Sequence, residues 1–436
     1  GFLEAFIWAS FLTVFMRFRM DTVVAFTEEQ ISAILNYDNA RMLLLYLGIG
    51  SVLAAVSKGG GAKAFANWAQ KKAKSPKTSL VIMWLMDVVL SVDDELSAFT
   101  TGTAMTPLAD SYGIPREKSA FMIRASAVAP ATLWPLGAWT VFVAVLLETS
   151  GFAESGKGVA EYMKCVPFMF FPIIVLVIGM LVALGVIPDF GKMKAAVQRV
   201  RDGGSVEPSA SGKEMGDDAD VGSDDITEGM PHRMVNFFIP VIVLVGGAWL
   251  AGLDIMVGII ASLVVTFFLF VFQGLCTPRQ FINDILIEGF KDMMMLTMLF
   301  GVSLVLVNQL DAMGFAPYIV GITSHILSPK ILPFVVFVVF ACTEFLVSFN
   351  WSLYMMALPI IIPLAAATGA NPYLTIAALI CAGIWGSQGC LYSDGALVAA
   401  AATKTDAYEA STASVQYMVI AVVLSAVAFL AAGFIV

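Results

Sequence analysis

Long, uncharged apolar runs dominate the chain. Val166–Val186, Val235–Leu250, Ile255–Phe272, Met293–Val307, Ile331–Val347 and Val415–Val436 are the clearest. Several approach the ~20 residues that a helix needs to cross a bilayer core. A β-barrel would show short alternating strands instead. The pattern therefore predicts an all-α polytopic membrane protein with about ten hydrophobic segments. Gly1–Met20 is apolar with internal charges and reads as an interfacial helix or a partial span.

One stretch breaks the pattern. From Asp202 to Met230 the chain is rich in Asp, Glu, Ser and Gly and almost lacks large apolar residues. Such a segment buries too little surface to order itself, so a flexible solvent loop is expected. The basic run Lys192–Arg201 precedes it, and basic residues beside a span favour the cytoplasmic side. The expected organisation is a first transmembrane repeat over residues 1–190, a basic then acidic linker over 191–233, and a second repeat over 234–436.

The halves resemble one another. Ser75-Pro76-Lys77 recurs as Ser328-Pro329-Lys330, and the same offset sets Gly61 against Gly314. Ser91-Val92-Asp93-Asp94-Glu95-Leu96 faces Ser348-Phe349-Asn350-Trp351-Ser352-Leu353, and Pro107-Leu108-Ala109 faces Pro363-Leu364-Ala365. Each half then has a Gly/Pro-interrupted segment, Ala125–Val143 and Ala382–Ala399. The loop Lys58–Lys77 is lysine-rich while its counterpart, Asp311–Lys330, carries only Lys330. Equivalent loops on opposite sides are what inverted-topology repeats produce. Val235–Leu250 and Ile255–Phe272 have no counterparts in the first half, so two further helices ahead of Gly1 are expected. Leu80–Val92 is short for a span and suits a re-entrant hairpin or a broken transmembrane helix.

Composition agrees with the pattern. Of 436 residues 59% are hydrophobic and 13% charged, against roughly 25% charged in soluble domains; mean hydropathy is +0.86. The net charge of −9 gives no reason to expect a nucleic-acid partner. The five cysteines show no metal-binding or disulfide spacing, and with only two histidines carboxylates must carry any proton. The glycines of Ser57–Lys63 lack the spacing of a nucleotide-binding loop. Transport driven by an ion gradient, with no organic cofactor, is the expectation. A pore lined by rings of like groups, or an intramembrane enzyme built on facing acids such as Asp93 and Asp394, has little in the sequence to support it.

Asp93-Asp94-Glu95 is the strongest pointer to a site. Carboxylates in hydrocarbon are tolerated around a cation, a proton path or water. Asp93 and Asp94 read as Na⁺ or proton ligands, or as caps of a half-helix, while Glu95 is expected to be solvated. Thr100 and Thr101 offer further oxygens, and Ser348, Asn350 and Ser352 form a matching neutral set for Na⁺. Arg124 reads as a substrate contact or as a side chain snorkelling to the headgroups. Ser387, Gln388, Ser393 and Asp394 form the substrate-side cluster in the second interrupted segment. Trp134, Trp139 and Trp351 are pocket walls or interfacial anchors. Asp87 and Glu344 are proton carriers or buried hydrogen-bonded acids.

Asn39-Ala40-Arg41, Gly59-Gly60-Gly61-Ala62, Asp93-Asp94-Glu95, Arg116-Glu117-Lys118-Ser119-Ala120 and Ala127-Val128-Ala129-Pro130 occur in that order. With Gly386–Asp394, they resemble the ordered motifs of the NhaC-type antiporter family, which reads N-A-R, G-G, D-D-Y-x-N, S-R-E-K-x-A, D-S-T-A-A-P and G-D-H-C-S-P-x-S-D. The resemblance implies a secondary transporter of the ion transporter superfamily, with a scaffold portion and a moving portion, often dimeric. It implies a bacterial inner-membrane location, Na⁺ or H⁺ as coupling ion, and an ion or small molecule as cargo. The chain departs from the family at Arg124, where an acid is usual, at Ser387-Gln388 in place of Asp-His, and at Ser97 in place of Asn. A guanidinium suits a carboxylate-bearing solute, which it binds through two hydrogen bonds. The expectation is Na⁺-coupled transport of a small amino or organic acid, with Na⁺/H⁺ antiport as the alternative.

Overall fold

A computed structural model describes residues 2–18, 22–35, 37–135, 137–208, 233–252, 254–294, scattered positions between 297 and 321, 328–348 and 350–436; at some helical positions it describes the backbone alone. Regular structure among the described residues is entirely helical. The first half holds α1 (Phe2–Phe18), α2 (Thr22–Leu35), α3 (Tyr37–Lys58), α4 (Gly61–Gln70), α5 (Pro76–Leu90), α6 (Asp94–Ser111), α7 (Arg116–Ser126), α8 (Val128–Leu133), α9 (Ala138–Thr149), α10 (Gly158–Cys165) and α11 (Phe170–Ala183). After α12 (Gly191–Arg201) come α13 (Val235–Leu250), α14 (Ile255–Gln273), α15 (Glu288–Asp292), α16 (Leu332–Val347), α17 (Asn350–Thr368), α18 (Pro372–Gly389), α19 (Asp394–Thr403) and α20 (Ala407–Ile435).

Most of the apolar stretches are broken. Among the described residues only Ile255–Gln273 and Ala407–Ile435 are single helices long and apolar enough to cross a membrane. Leu43–Lys58 bends by 45° into Gly61–Gln70, and Gly158–Phe168 bends by 58° into Phe170–Ala183. At the first bend Gly60 sits at φ +67°, a conformation that glycine adopts without steric cost. At the second, Pro167 removes a backbone donor.

Helix–break–helix units recur in both halves. α5 starts with a capping box between Ser75 and Thr78, with Pro76 behind it. The helix stops at Leu90, and Asp93 restarts the chain as N-cap of α6, accepting the Leu96 amide at 2.8 Å. In the second half α16 stops at Ser348, held at φ +53°, and α17 resumes at Asn350. α5 and α6 fold back on one another, whereas α16 and α17 both pack on α18. α18 is buried at every position from Leu374 to Gly389, as a helix apolar on every side over most of its length must be. It breaks at Cys390, and Ser393 caps α19. The earlier counterpart is the break at Trp134–Gly137 between α8 and α9.

Charged residues tie the framework together at its edges. Arg116 bonds Asp110 at 2.9 Å and the Lys404 carbonyl at 2.8 Å. Glu117 holds Arg199 of α12 through two bonds of 2.8 and 2.9 Å. Lys118 holds Asp189 at 2.8 Å. Three consecutive residues thus bind the first turn of α7 to four other segments. Arg41 reaches Asp254 at 2.6 Å and lies 3.9 Å from Glu148, which joins α3 to α9 and to the start of α14.

The acidic linker is ordered further than its composition suggests. Residues 191–201 are helical, and 202–208 lie along the framework. The Val206 carbonyl accepts the Arg116 amide at 3.0 Å, and Glu207 pairs with Arg116 at 2.6 Å. Charge-assisted bonds replace the hydrophobic burial that this segment lacks. Residues 209–232, with the rest of the expected flexible loop, lie outside the described residues, as do His325 and most of 311–327.

α3 crosses α15 at a glycine pair. A Cβ on Gly50 would strike the Gly289 carbonyl oxygen, and a Cβ on Gly289 would strike the backbone of Gly50 and Ser51. Ser51 seals the crossing by donating to the Leu286 carbonyl at 3.0 Å. Small residues permit such close approach inside membranes. Gly289→Val is expected to destabilise the protein by about 1–3 kcal/mol. Gly246→Ala, where an added Cβ meets nothing within 4 Å, should leave the thermal midpoint unchanged. Equal midpoints for the two variants would show that the crossing is loose.

Candidate functional site

The broken helices converge on one small cavity. Asp94, Glu95 and Ala98 of α6 face Ile123, Arg124, Ala127 and Val128 of the α7–α8 bend, with Ser387 and Gln388 at the end of α18 and Gly395 and Val398 of α19. The space open to the centre of a water molecule is about 20 Å³, room for about one water.

Arg124 organises this cavity. It is 3% exposed, and its Nη2 donates to the Gln388 carbonyl at 2.5 Å and the Cys390 carbonyl at 2.9 Å. Gln388 Nε2 donates back to the Arg124 carbonyl at 2.8 Å. Those carbonyls sit where α18 ends, a place where backbone acceptors lack intrahelical partners. A cation there also suits the negative end of the helix dipole. The guanidinium therefore packs as a C-terminal cap and does not reach for headgroups. Its Nη1 and Nε, and Gln388 Oε1, are buried without a hydrogen-bond partner among the described residues. Buried, unsatisfied charged donors are costly, and they line the cavity.

The acidic triplet divides its work. Asp93 turns to its own helix as N-cap. Asp94 lies in the first turn, lines the cavity and accepts Trp139 Nε1 at 3.1 Å. Trp139 packs against Trp351 with centroids 4.6 Å apart and the rings tilted by 35°, while Trp134 is 48% exposed. Glu95 is exposed yet also lines the cavity. Among the described residues no three acidic, histidine or cysteine side chains converge as a metal-binding set.

The other sequence candidates scatter around this centre. Thr100 is half-buried and does not line the cavity, and Thr101 is buried on the side of Asp87. Ser348 donates to the Gly386 carbonyl at 3.3 Å, tying the second break to α18. Ser393 caps α19 and donates to the Ser387 carbonyl at 2.5 Å. The side chains of Asn350, Ser352 and Asp394 lie outside the described residues. The structure thus brings Asp94, Arg124, Ser387 and Gln388 together and leaves Asp93, Thr100, Thr101, Ser348 and Ser393 off the cavity.

Residues 130–434 match the Na⁺/H⁺ antiporter family. The chain belongs to that family. It is a multi-pass membrane transporter coupled to cations. An uncharacterized protein of Haemophilus influenzae is 20% identical over 434 residues, which is 91% of this chain and 78% of that one. The crystal structure of the Alcanivorax borkumensis YdaH transporter, described as having an unusual topology, superposes with a TM-score of 0.51 at 12% identity. The match covers 98% of this chain and 97% of that one, and the likeness is one of fold.

Chemically the cavity offers carboxylates on one wall and a guanidinium on another. Asn caps a helix as well as Asp, so Asp93→Asn should leave both stability and sodium response intact. Asp93→Ala should cost about 1 kcal/mol through loss of the cap. Asp94→Asn should abolish stabilisation by sodium, worth about 2.7 kcal/mol at a hundredfold excess over Kd. Thermal unfolding with and without Na⁺ reads all three, and loss of the sodium response in Asp93→Asn alone would reverse the assignment.

Proposed function

We propose that the chain couples Na⁺ to the movement of a small carboxylate-bearing solute, an amino or organic acid. The observation that carries this reading is the buried Arg124 guanidinium, with two nitrogens unpaired on the wall of a cavity. A solute carboxylate would pair with those nitrogens through charge-assisted bonds once the cavity opens. Asp94 and Glu95 line the same space, suited to Na⁺ or to the ammonium of an amino acid. Thr100, Thr101, Ser348, Asn350 and Ser352 then belong to the cation site, with Asp93 capping the helix that carries Asp94, and Ser387, Gln388, Ser393 and Asp394 serve the solute.

In this reading residues 1–190 and 234–436 are repeats of opposite orientation joined by 191–233. Alternating access exposes the cavity to each side in turn, in a homodimer in the bacterial inner membrane. The present cavity admits about one water, so the solute enters only when α6, α7 and α18 separate. That small volume favours a second reading, Na⁺/H⁺ exchange, in which a dehydrated ion is the whole cargo.

Uptake by purified protein in liposomes, under imposed Na⁺ and pH gradients with a panel of amino and organic acids, separates the two. Sodium-stimulated solute uptake is expected. Arg124→Lys keeps the charge but loses the fork, and should cut that uptake at least about tenfold, the equivalent of 1.4 kcal/mol. A sodium-driven pH change without any solute, unaltered in Arg124→Lys, would establish exchange and remove the solute reading.

A further inference from the structure

We infer that α4 and the turn after it form a docking surface for the headgroups of anionic phospholipids. The inference goes beyond the proposed function and needs no ion or solute assigned. From Asn39 to Met86 the chain carries no acid, yet six lysines fall between Lys58 and Lys77. α4 is amphipathic. Gly61, Ala62, Phe65, Ala66 and Ala69 are buried, while Lys63, Asn67 and Trp68 are exposed. The exposed side continues into Lys71, Lys72, Lys74 and Lys77, all of them exposed.

The surface lies where a membrane edge falls. α3 runs from the Arg41–Asp254 pair to Lys58, about 26 Å at 1.5 Å per residue. That length is most of a hydrocarbon core of ~30 Å. After the 45° bend, α4 therefore starts where that span ends, and α5 then runs from Pro76 back among α6, α7 and α11. Trp68 is 45% exposed and stacks on Phe65 with centroids 5.7 Å apart. Lys72 Nζ lies 5.9 Å from the centre of the indole. Tryptophan set among lysines on an amphipathic helix is the make-up of surfaces that rest at headgroup level.

Charge selects the lipid. Tyr112, just ahead of the anchored turn of α7, donates to the Ala73 carbonyl at 3.1 Å, so that turn and the lysines share one edge. There Arg116, Lys118 and Arg199 each pair with a carboxylate. Among the described residues Lys71, Lys72, Lys74 and Lys77 meet no carboxylate at ion-pair distance. A lipid phosphate supplies the opposite charge, and the leaflet presents it beside them. Each lysine near an anionic membrane surface strengthens attachment roughly fivefold. The exposed indole favours a lipid over a free anion, because it adds apolar contact beside the charges. The surface is also tied to the transport helices. Gln70 Nε2 donates to the Ala104 carbonyl, so with Tyr112 both ends of the surface hang on α6, whose first turn carries Asp94. Headgroups that hold α4 thereby steady α6.

Quenching of tryptophan fluorescence in nanodiscs tests this on the full chain. The discs hold equal parts of phosphatidylglycerol and phosphatidylcholine, with one or the other brominated. In each background the Trp68 signal is the difference made by Trp68→Phe. Brominated phosphatidylglycerol should quench that signal at least about twofold more than brominated phosphatidylcholine does. Lys71→Gln, Lys72→Gln, Lys74→Gln and Lys77→Gln together should bring the ratio to about one, and the same four lysines changed to Arg, which keeps the charge, should preserve it. Rising NaCl should lower the wild-type ratio by screening. Lys157→Gln and Lys291→Gln, at exposed lysines already paired with a neighbouring acid, should leave it unchanged. Equal quenching by the two lipids in the wild type would overturn the proposal, as would a preference that survives the four Gln changes. A thermal midpoint lowered by those changes as much in pure phosphatidylcholine as in the mixture would assign the lysines to a partner within the chain, such as the acidic linker, and would overturn it too.

Discussion

Helix ends buried at membrane depth need partners, and in this chain one guanidinium supplies them at the centre. Arg124 belongs to the first half, and the carbonyls it holds close the main buried helix of the second half. Each such acceptor left orphaned in hydrocarbon would cost several kcal/mol. The same contact joins α7 to α18, sets Gln388 in place and leaves part of the guanidinium unsatisfied. Structure and chemistry therefore share a side chain. A residue that only capped α18 would need two carbonyl contacts, and Arg124 has donors to spare.

The acids are sorted by a similar economy. Asp93 satisfies a helix N-terminus, a task any good capping residue performs. Asp94, one position on, is aimed by the indole of Trp139 and reaches the cavity. Asp87 lies deeper among hydroxyls. Three acids within a short stretch thus meet three environments: a backbone cap, a cavity wall and a hydroxyl cage. Charge alone did not assign them; the break between α5 and α6 did, because it fixes which face each acid occupies.

Much of this was legible in the sequence. The apolar runs gave the all-helical membrane class, and the two Gly/Pro-interrupted segments, Ala125–Val143 and Ala382–Ala399, each contain a break, between α8 and α9 and at Cys390. The pairing of Ser91 with Ser348 marked two real helix ends. Arg124 and Gln388 stood out because they depart from the family pattern, and they prove to touch. What stayed hidden depends on side-chain direction. Nothing in the order of letters distinguishes the facing of Asp93 from that of Asp94, since neighbours on a helix point about 100° apart. The cage around Asp87 draws Ser97, Thr101 and Ser126 from two helices, and single serines are too common to signal a site. The docking of residues 202–208 depends on Arg116 and Arg199, which local composition does not reveal.

The triple anchor at the start of α7 has a geometric consequence. Arg116, Glu117 and Lys118 fasten one end of the helix, while Arg124 stands eight positions later, about 12 Å along the axis at 1.5 Å per residue. α7 is therefore a lever with its fulcrum at the charged edge and its working end in the cavity. A tilt of only about 5° about that fulcrum carries the guanidinium roughly 1 Å, a displacement large enough to matter for a precisely oriented contact. Small adjustments among these largely buried ion pairs are thereby amplified where the two halves meet.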